Sequence, residues 1–288
     1  PIMLAGSTLR ISGALYSLCG NLASPKLAGT MSYTYMITVL SNALFAIALR
    51  TYLGELFPAL DTVWTAVVAL TVFYIINLLG LDVFAKVSSV MTWTLFAGLL
   101  LYIIYGIPQI SQPLFNFAGE QFFTGGFKGF FTATFLLIYS TQGYYIAIFY
   151  GADAKKATRD VPRAMRWCIP ALVVLYIGVC IVTAGVLPME QTAGKTLTVV
   201  AMSIMPKTLA VIFILCGPIM ALTTTLNTGL SSNMYPIRQA CHDGWLPRSF
   251  AKSNRFGIPW KIMTYEYLIA LIPILLNFNI SLITNNIQ

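Results

Sequence analysis

The sequence predicts an all-α polytopic membrane protein. Hydrophobic residues make up 58% of its 288 residues, charged residues make up only 9%, and the mean hydropathy is +0.78. An average soluble domain carries about 25% charged residues, whereas long apolar runs are typical of transmembrane helices. The apolar runs of this chain alternate with short polar segments that hold most of its charges. The composition therefore excludes a soluble globular protein.

About seven complete transmembrane helices are expected. Two of them must be antiparallel neighbours, because only the short turn Gly80-Leu81-Asp82 joins them. Residues 1–6 resemble the last turns of a further apolar span. They do not have the pattern of a signal peptide, and the first residue is not Met, so the chain is expected to be a truncated piece. The seven predicted spans cover about residues 28–49, 63–79, 83–107, 128–151, 167–187, 207–235 and 262–276.

Lysine and arginine residues predict the orientation in the membrane. Thirteen of the 17 lie in loops on one side, and the other four lie on the opposite side. The positive-inside rule places the first set in the cytoplasm, including loops 152–166 and 236–261. The expected location is the cell (plasma or inner) membrane, with the lipid bilayer around the spans. Nucleic acid is not an expected partner, because the net charge of +8 is scattered over short loops.

Polar residues interrupt the span that begins near residue 128. Its middle contains Ser140, Thr141, Gln142 and Gly143. Hydrocarbon gives backbone groups no hydrogen bond partner, so such an interruption must be buried in protein or line a wet cavity. Discontinuous helices of this kind form midplane binding sites in many secondary transporters. A kinked packing helix is the alternative, since glycine is common in membrane spans.

Two other spans carry polar side chains at membrane depth. Asn42 lies near the middle of the first complete span and must bond either a neighbouring helix or a ligand. In the span 207–235, the side chains of Thr223, Asn227 and Ser231 share one face, which should point into the helix bundle. A single threonine can instead bond a preceding carbonyl of its own helix. In the third span, Trp93 is expected to pack inside the protein or line a cavity.

The sequence contains no pattern that indicates an enzyme or a bound cofactor. No set of nucleophile, base and acid residues occurs at any depth of the spans. The five cysteines lack paired spacing and are expected to be reduced. His242 is the only histidine and has no candidate metal ligands beside it, so no metal site is predicted.

Seven short motifs occur along the chain in a fixed order. Two of them are Arg-Asp-Val-Pro-Arg-Ala at 159–164 and Asp-Gly-Trp-Leu-Pro at 243–247. The others lie at residues 11–16, at Asn77 and Gly80, at 86–87, at Gly143 and Tyr144, and at 250–259. Each motif is weak alone, but their common order and spacing resemble those of the amino acid–polyamine–organocation superfamily of permeases.

The resemblance implies part of a leucine-transporter-type fold, which consists of two inverted five-helix repeats. Residues 1–288 would form a single transmembrane domain. Residues 1–127 would be the remainder of the first repeat, from the end of the family's second helix to its fifth. Residues 128–288 would form the second repeat, with helices six to nine and the start of ten. The family's first helix and its last helices would be absent.

The same resemblance implies a secondary active transporter, a permease or exchanger of amino acids. It would work by alternating access around the break at 139–144. Because no Asp or Glu lies at mid-membrane, and Glu266 lies near the inner end of its span, a neutral amino acid is expected. The coupling ion would be H⁺ or Na⁺, with Thr224 and Thr225 as an alternative ion site. The implied substrate-binding residues are Tyr139, Ser140, Thr141, Gln142, Gly143, Tyr144, Asn42, Thr225 and Gly229.

Some positions depart from the family pattern. Asp153 replaces a Glu of the loop after the broken helix, and Tyr235 stands where an Arg is common. Leu95 occupies the position of a Lys found in some proton-coupled members, which leaves the driving ion open. A chain without the family's first helix could also be a non-transporting remnant, or a protein that binds another membrane subunit. The oligomeric state has no signature in the sequence.

Overall fold

In a computed structural model of the protein, residues 12–113, 125–192 and 195–278 are described, and every regular element among them is helical. The side chains of residues 136–142, 144 and 189 lie outside this description, as do residues 1–11 and the polar tail. The helices are α1 (Ala14–Leu22), α2 (Pro25–Thr38), α3 (Ser41–Leu56), α4 (Val63–Leu78), α5 (Leu81–Gly106), α6 (Gly126–Thr141), α7 (Ala157–Val186), α8 (Met189–Thr192), α9 (Leu197–Ile204), α10 (Lys207–Ile214), α11 (Met220–His242) and α12 (Trp260–Leu275). Short 3₁₀ helices cover Pro58–Leu60, Ile107–Gln109, Gln142–Tyr150 and Arg248–Ala251.

The predicted class, an all-α polytopic membrane protein, is confirmed. Four apolar helical stretches in the described residues are long enough to cross a bilayer: Pro25–Leu56, Leu81–Gln109, Ala157–Val186 and Lys207–His242. The other three expected spans contain α4, α6 and α12, each of 16 residues. A helix of that length rises about 24 Å, which is less than the hydrocarbon thickness of about 30 Å.

The first long span is interrupted at Val39 and Leu40, between α2 and α3. The hydrogen bonds there tighten to three-residue spacing, from Leu40 N to Ile37 O (3.0 Å) and from Asn42 N to Val39 O (3.1 Å). Helix α3 begins directly after this turn, at Ser41, and Asn42 lies fully buried in its first turn.

The last long span contains a π-helical turn at Leu215–Ile219, between α10 and α11. Pro218 lies inside this turn, and a proline removes a backbone donor and disturbs the regular hydrogen bonding of a helix. The turn packs closely against α5, because a Cβ on Gly98 would come within 2.8 Å of the carbonyl carbon of Cys216. A glycine is therefore required at position 98.

Helix α11 lies at the centre of the described bundle and packs against α1 to α5 and α12. The prediction that its polar face points inward is confirmed, since Thr223, Asn227 and Ser231 are all buried. Asn227 joins three helices: its Oδ1 accepts a hydrogen bond from Asn77 Nδ2 of α4 (2.8 Å), and its Nδ2 donates to Ser88 Oγ of α5 (2.8 Å). The buried amides thus satisfy each other.

Side-chain clamps join the helix ends on the predicted cytoplasmic side. Asn254 donates from Nδ2 to the carbonyl of Leu78 (2.8 Å), and its Oδ1 accepts from the amides of Phe256 and Ile258. Glycine at 257 is required there, since its φ is +81°. These bonds fix the 250–259 motif against the end of α4.

A second clamp joins α1 to the end of α11. The Tyr16 hydroxyl donates to Asp243 Oδ2 (2.9 Å), and Gln239 Nε2 donates to Asp243 Oδ1 (3.0 Å). Burial is the main cause that raises the pKa of the Tyr16 phenol, followed by its bond to the Asp243 carboxylate. The phenol therefore keeps its proton and remains a donor at neutral pH.

Candidate functional site

The side chain of Asn42 is fully buried on the first turn of α3. Neither its Oδ1 nor its Nδ2 has a hydrogen bond partner among the described residues. A buried amide without partners carries an uncompensated desolvation cost of about 1–3 kcal/mol. Such a group is suited to bind a polar ligand, which would supply the missing bonds.

Gly229 of α11 lies directly against Asn42. A Cβ placed on Gly229 would overlap with Asn42 Oδ1, so no larger residue fits while Asn42 keeps this position. Thr225 lies one helical turn before Gly229, on the same face, and its side chain is exposed. Of the predicted substrate-binding residues, the structure therefore brings Asn42 and Gly229 into contact and places Thr225 beside them.

The backbone of the predicted break changes its helix type where the polar residues occur. Helix α6 ends at Thr141, and a 3₁₀ helix runs from Gln142 to Tyr150. Gly143 is exposed, and a Cβ there would meet no described atom within 4 Å. The side chains of Tyr139, Ser140, Thr141, Gln142 and Tyr144 lie outside the described part, so their binding roles stay predictions.

The 3₁₀ helix packs its C-terminal end into the bundle. The ring of Tyr150 stacks on Phe84 of α5, with centroids 5.7 Å apart, and meets Tyr235 of α11 edge-on at 5.4 Å. Phe149 meets Tyr35 of α2 at 6.3 Å. The segment after the break is therefore held by three neighbouring helices, whereas the exposed Gly143 precedes these contacts.

The hydroxyls of Thr224 and Thr225 bond within their own helix. Both donate to the carbonyl of Ala221, at 2.9 and 2.8 Å. A hydroxyl oxygen that donates one bond still has lone pairs for a cation, so this geometry is compatible with an ion site but is also common in ordinary helices. The Na⁺ role of these two threonines stays a prediction.

A polar cavity of about 300 Å³ lies at the predicted cytoplasmic end of α11. Tyr235 donates to Asp153 Oδ2 (2.6 Å) beside it, which links α11 to the loop after the broken helix. The sequence did not predict this contact, although both positions are expected departures from the family pattern. Other residues that line the cavity are Gly80, Asp82, Met234, Arg238, Phe256 and Gly257.

Comparison with known sequences assigns the family. The profile described as "Amino acid permease" matches residues 2–287, nearly the whole chain. The cationic amino acid transporter 9, chloroplastic, of Arabidopsis thaliana is 28% identical over 168 residues, covering 58% of this chain and 29% of that protein. The lysine-specific permease LysP of Escherichia coli K12 is 25% identical over 252 residues, covering 79% of this chain and 50% of LysP.

A third relative is the aromatic amino acid transport protein AroP of Shigella flexneri. It is 23% identical over 242 residues, which cover 80% of this chain and 52% of AroP. The chain thus spans about half the length of these two bacterial relatives and less of the plant protein. All three are transporters by name and none is an enzyme. With this match over almost its full length, the chain belongs to the amino acid permease family of the amino acid–polyamine–organocation superfamily.

Proposed function

We propose that this chain contributes to secondary active transport of a neutral amino acid, as a permease or exchanger in the plasma or inner membrane. Its binding site would lie between the break at 139–144 and the contact of Asn42 with Gly229. The observation that carries the proposal is the Asn42 amide, which is fully buried without partners in the described residues. A substrate carboxylate or side chain would satisfy it.

The mechanism would use two kinds of groups. At the break, where the helix type changes between Thr141 and Gln142, freed backbone carbonyls would accept bonds from the substrate ammonium. Asn42 would bond the substrate from the opposite side, and the absence of a side chain at Gly229 would leave space. The site would close by packing of the 3₁₀ helix and open by its movement, giving alternating access.

The groups at the proposed site bear on the charge of the substrate. Asn42 supplies a neutral amide, Gly229 has no side chain, and neither ion pair in the described part of the chain involves them. A cationic side chain would lose its hydration without gaining a countercharge there, which is costly. This favours a neutral amino acid, although some relatives are named for cationic or lysine transport.

The test is a binding measurement on the chain purified in lipid nanodiscs, with a panel of radiolabelled amino acids. Asn42→Ala and Gln142→Ala should each weaken binding of the best ligand by up to about tenfold, because a polar contact in a membrane protein is worth about 1 kcal/mol. Asn233→Ala, at a partly exposed amide on α11, is the matched control.

Two outcomes would count against the proposal. If both variants bind with unchanged affinity, the substrate site lies elsewhere. If no amino acid binds to the wild type, the alternative function is favoured, in which the chain is a non-transporting remnant or binds another membrane subunit. Uptake in liposomes then separates binding from transport, because a binding-only protein would hold the ligand without moving it.

A further inference from the structure

Glu266 is a fully buried carboxyl group on α12, which lies in the last of the expected spans. It is the seventh residue of α12, about 9 Å along the helix axis from Trp260 at the cytoplasmic end. Its side chain is 0% exposed, and neither Oε1 nor Oε2 has a hydrogen bond partner in the described part of the chain. The buried apolar residues Ile262, Met263 and Ala270 follow the same face of α12.

The helices packed against α12 are α3, α4 and α11, together with the 3₁₀ helix at 248–251. The titratable side chain that interacts with Glu266 is its neighbour Tyr265, whose hydroxyl is already bonded to the carbonyl of Met36 (3.1 Å). From α4, Tyr74 faces α12 but bonds Thr264 (2.8 Å), and from α11 the thiol of Cys241 is buried.

The charged groups on these helices already contact other side chains or lie at the helix ends. Arg50 of α3 pairs with Asp61 and Asn277, and Lys261 stands over the ring of Trp260. Arg238 of α11 lines the cytoplasmic cavity. Glu55, His242 and Arg248 are exposed. Glu266 thus forms no ion pair within the described residues.

An isolated ionised carboxylate in such a position is so unfavourable that the group takes up a proton instead. From the burial and the unpaired oxygens, we infer that Glu266 is a proton-binding site, a neutral carboxylic acid in this conformation. In a second conformation, in which water enters the contact of α12 with α3 and α11, the carboxylic acid releases its proton to water. The exchange moves H⁺ between the carboxyl oxygen and a water molecule, and no bond to carbon changes.

This site has a consequence that rests on the proposed function. If amino acid movement requires the conformational change that wets Glu266, proton release and substrate release are linked, and H⁺ is the coupling ion. Binding of the proton can drive binding of the substrate only if the affinities for both differ between the same two conformations. The proton site itself does not depend on transport, so the two can be tested separately.

The first experiment detects the proton by infrared spectroscopy of the chain in lipid at pH 7. A protonated carboxyl shows a carbonyl stretch that shifts in D₂O. We expect this band in the wild type and in the control Glu190→Gln, at an exposed glutamate, and its loss in Glu266→Gln. A wild type without the band, or a band that survives in Glu266→Gln, overturns the inference.

Glu266→Gln keeps the size and neutrality of the protonated side chain, so it is expected to fold. If it is not recovered, wild-type protein labelled with ¹³C at the glutamate carboxyl gives the assignment. The chain has four glutamates, and the pKa of a glutamate side chain in water is about 4.3. A ¹³C-shifted protonated band at pH 7 supports the site, and its absence contradicts it.

The second experiment tests coupling in liposomes loaded with the amino acid found to bind. An inward H⁺ gradient should raise accumulation by the wild type and by Glu190→Gln, whereas Glu266→Gln should still exchange amino acid but should lose the response to the gradient. An equal response of Glu266→Gln, or accumulation that requires a Na⁺ gradient at equal pH, overturns the coupling role. If the wild type moves no amino acid, the proposed function fails and the infrared band still decides the proton site.

Discussion

The hydroxyl of Tyr235 on α11 donates a hydrogen bond to Asp153 Oδ2 over 2.6 Å. By the resemblance to the permease superfamily, Tyr235 is expected where an arginine is common, and Asp153 is expected at the position of a glutamate, which is longer by one methylene. A change of side-chain length at only one of the two positions would change the distance between α11 and the loop after the broken helix.

We expect the Tyr235–Asp153 bond to stabilise the protein measurably. In a double-mutant cycle of Tyr235→Phe and Asp153→Ala, the interaction energy should be about 1.5 kcal/mol, because a hydrogen bond to a charged group is worth more than a neutral one. Thermal unfolding in detergent, followed by tryptophan fluorescence, measures it. Tyr33→Phe at an exposed tyrosine is the control, and additive effects of the two substitutions would contradict the prediction.

The clamp between Tyr16 and Asp243 should make the stability of the protein fall at high pH. The pKa of the Tyr16 phenol is raised in the folded state, whereas an unfolded tyrosine ionises near pH 10. Above about pH 10 the folded state binds more protons than the unfolded state, so the contribution is fully present below that pH and falls as the pH rises.

Tyr16→Phe tests this clamp directly. At pH 7 it should lose about 1.5 kcal/mol of unfolding free energy through the missing bond to Asp243. From about pH 9 to 11 the wild type should lose stability more steeply than Tyr16→Phe. Subtracting one curve from the other removes the contribution of the other tyrosines, which both proteins share. Parallel curves would show that the phenol does not hold its proton more tightly when folded.

Substitution of Gly229 should destabilise the protein through one identified neighbour. In Gly229→Ala the new methyl group would overlap with Asn42 Oδ1, and overpacking of this kind costs about 1–3 kcal/mol. Combining it with Asn42→Ala should recover most of that loss, since the overlapping atom is then absent. If the double variant unfolds at the temperature of Gly229→Ala, the strain has another source.

The buried amide network should also be detectable. Asn227→Ala removes the acceptor of Asn77 and the donor to Ser88, and a membrane hydrogen bond averages about 0.6 kcal/mol. We expect a loss of about 1 kcal/mol for the two bonds together, read from thermal unfolding. Asn233→Ala on the same helix should leave the midpoint unchanged, and an equal shift in both variants would argue against a specific network.

The inward direction of the polar face of α11 could be predicted because hydroxyl and amide groups avoid lipid, and their spacing identifies one side of a helix. The partner of Asn227 could not be predicted. It is Asn77, 150 residues earlier, and only tertiary packing brings the two amides together. The sequence shows which groups need partners but does not determine which partners they find.

Trp93 was expected to pack inside the protein or line a cavity. Among the described residues 73% of it is exposed, with Phe96 as a ring neighbour, so inward packing is not found and the cavity-lining alternative stays a prediction. Helix α5 is apolar on nearly every side, so its hydropathy identifies a span but not the face that meets other helices. The π-helical turn had a visible signal, the Gly217-Pro218 pair in mid-span, although neither residue specifies the number of residues in the widened turn.

The Asn254 clamp has a consequence for how the chain assembles. Its bond to the Leu78 carbonyl connects residues 176 positions apart, so it forms only after the chain has been synthesised as far as residue 254. Until then the Leu78 carbonyl lacks this partner, and we expect residues 250–259 to be more accessible to proteases. Resistance of this loop to proteolysis during translation would therefore mark the moment when α12 docks beside α4.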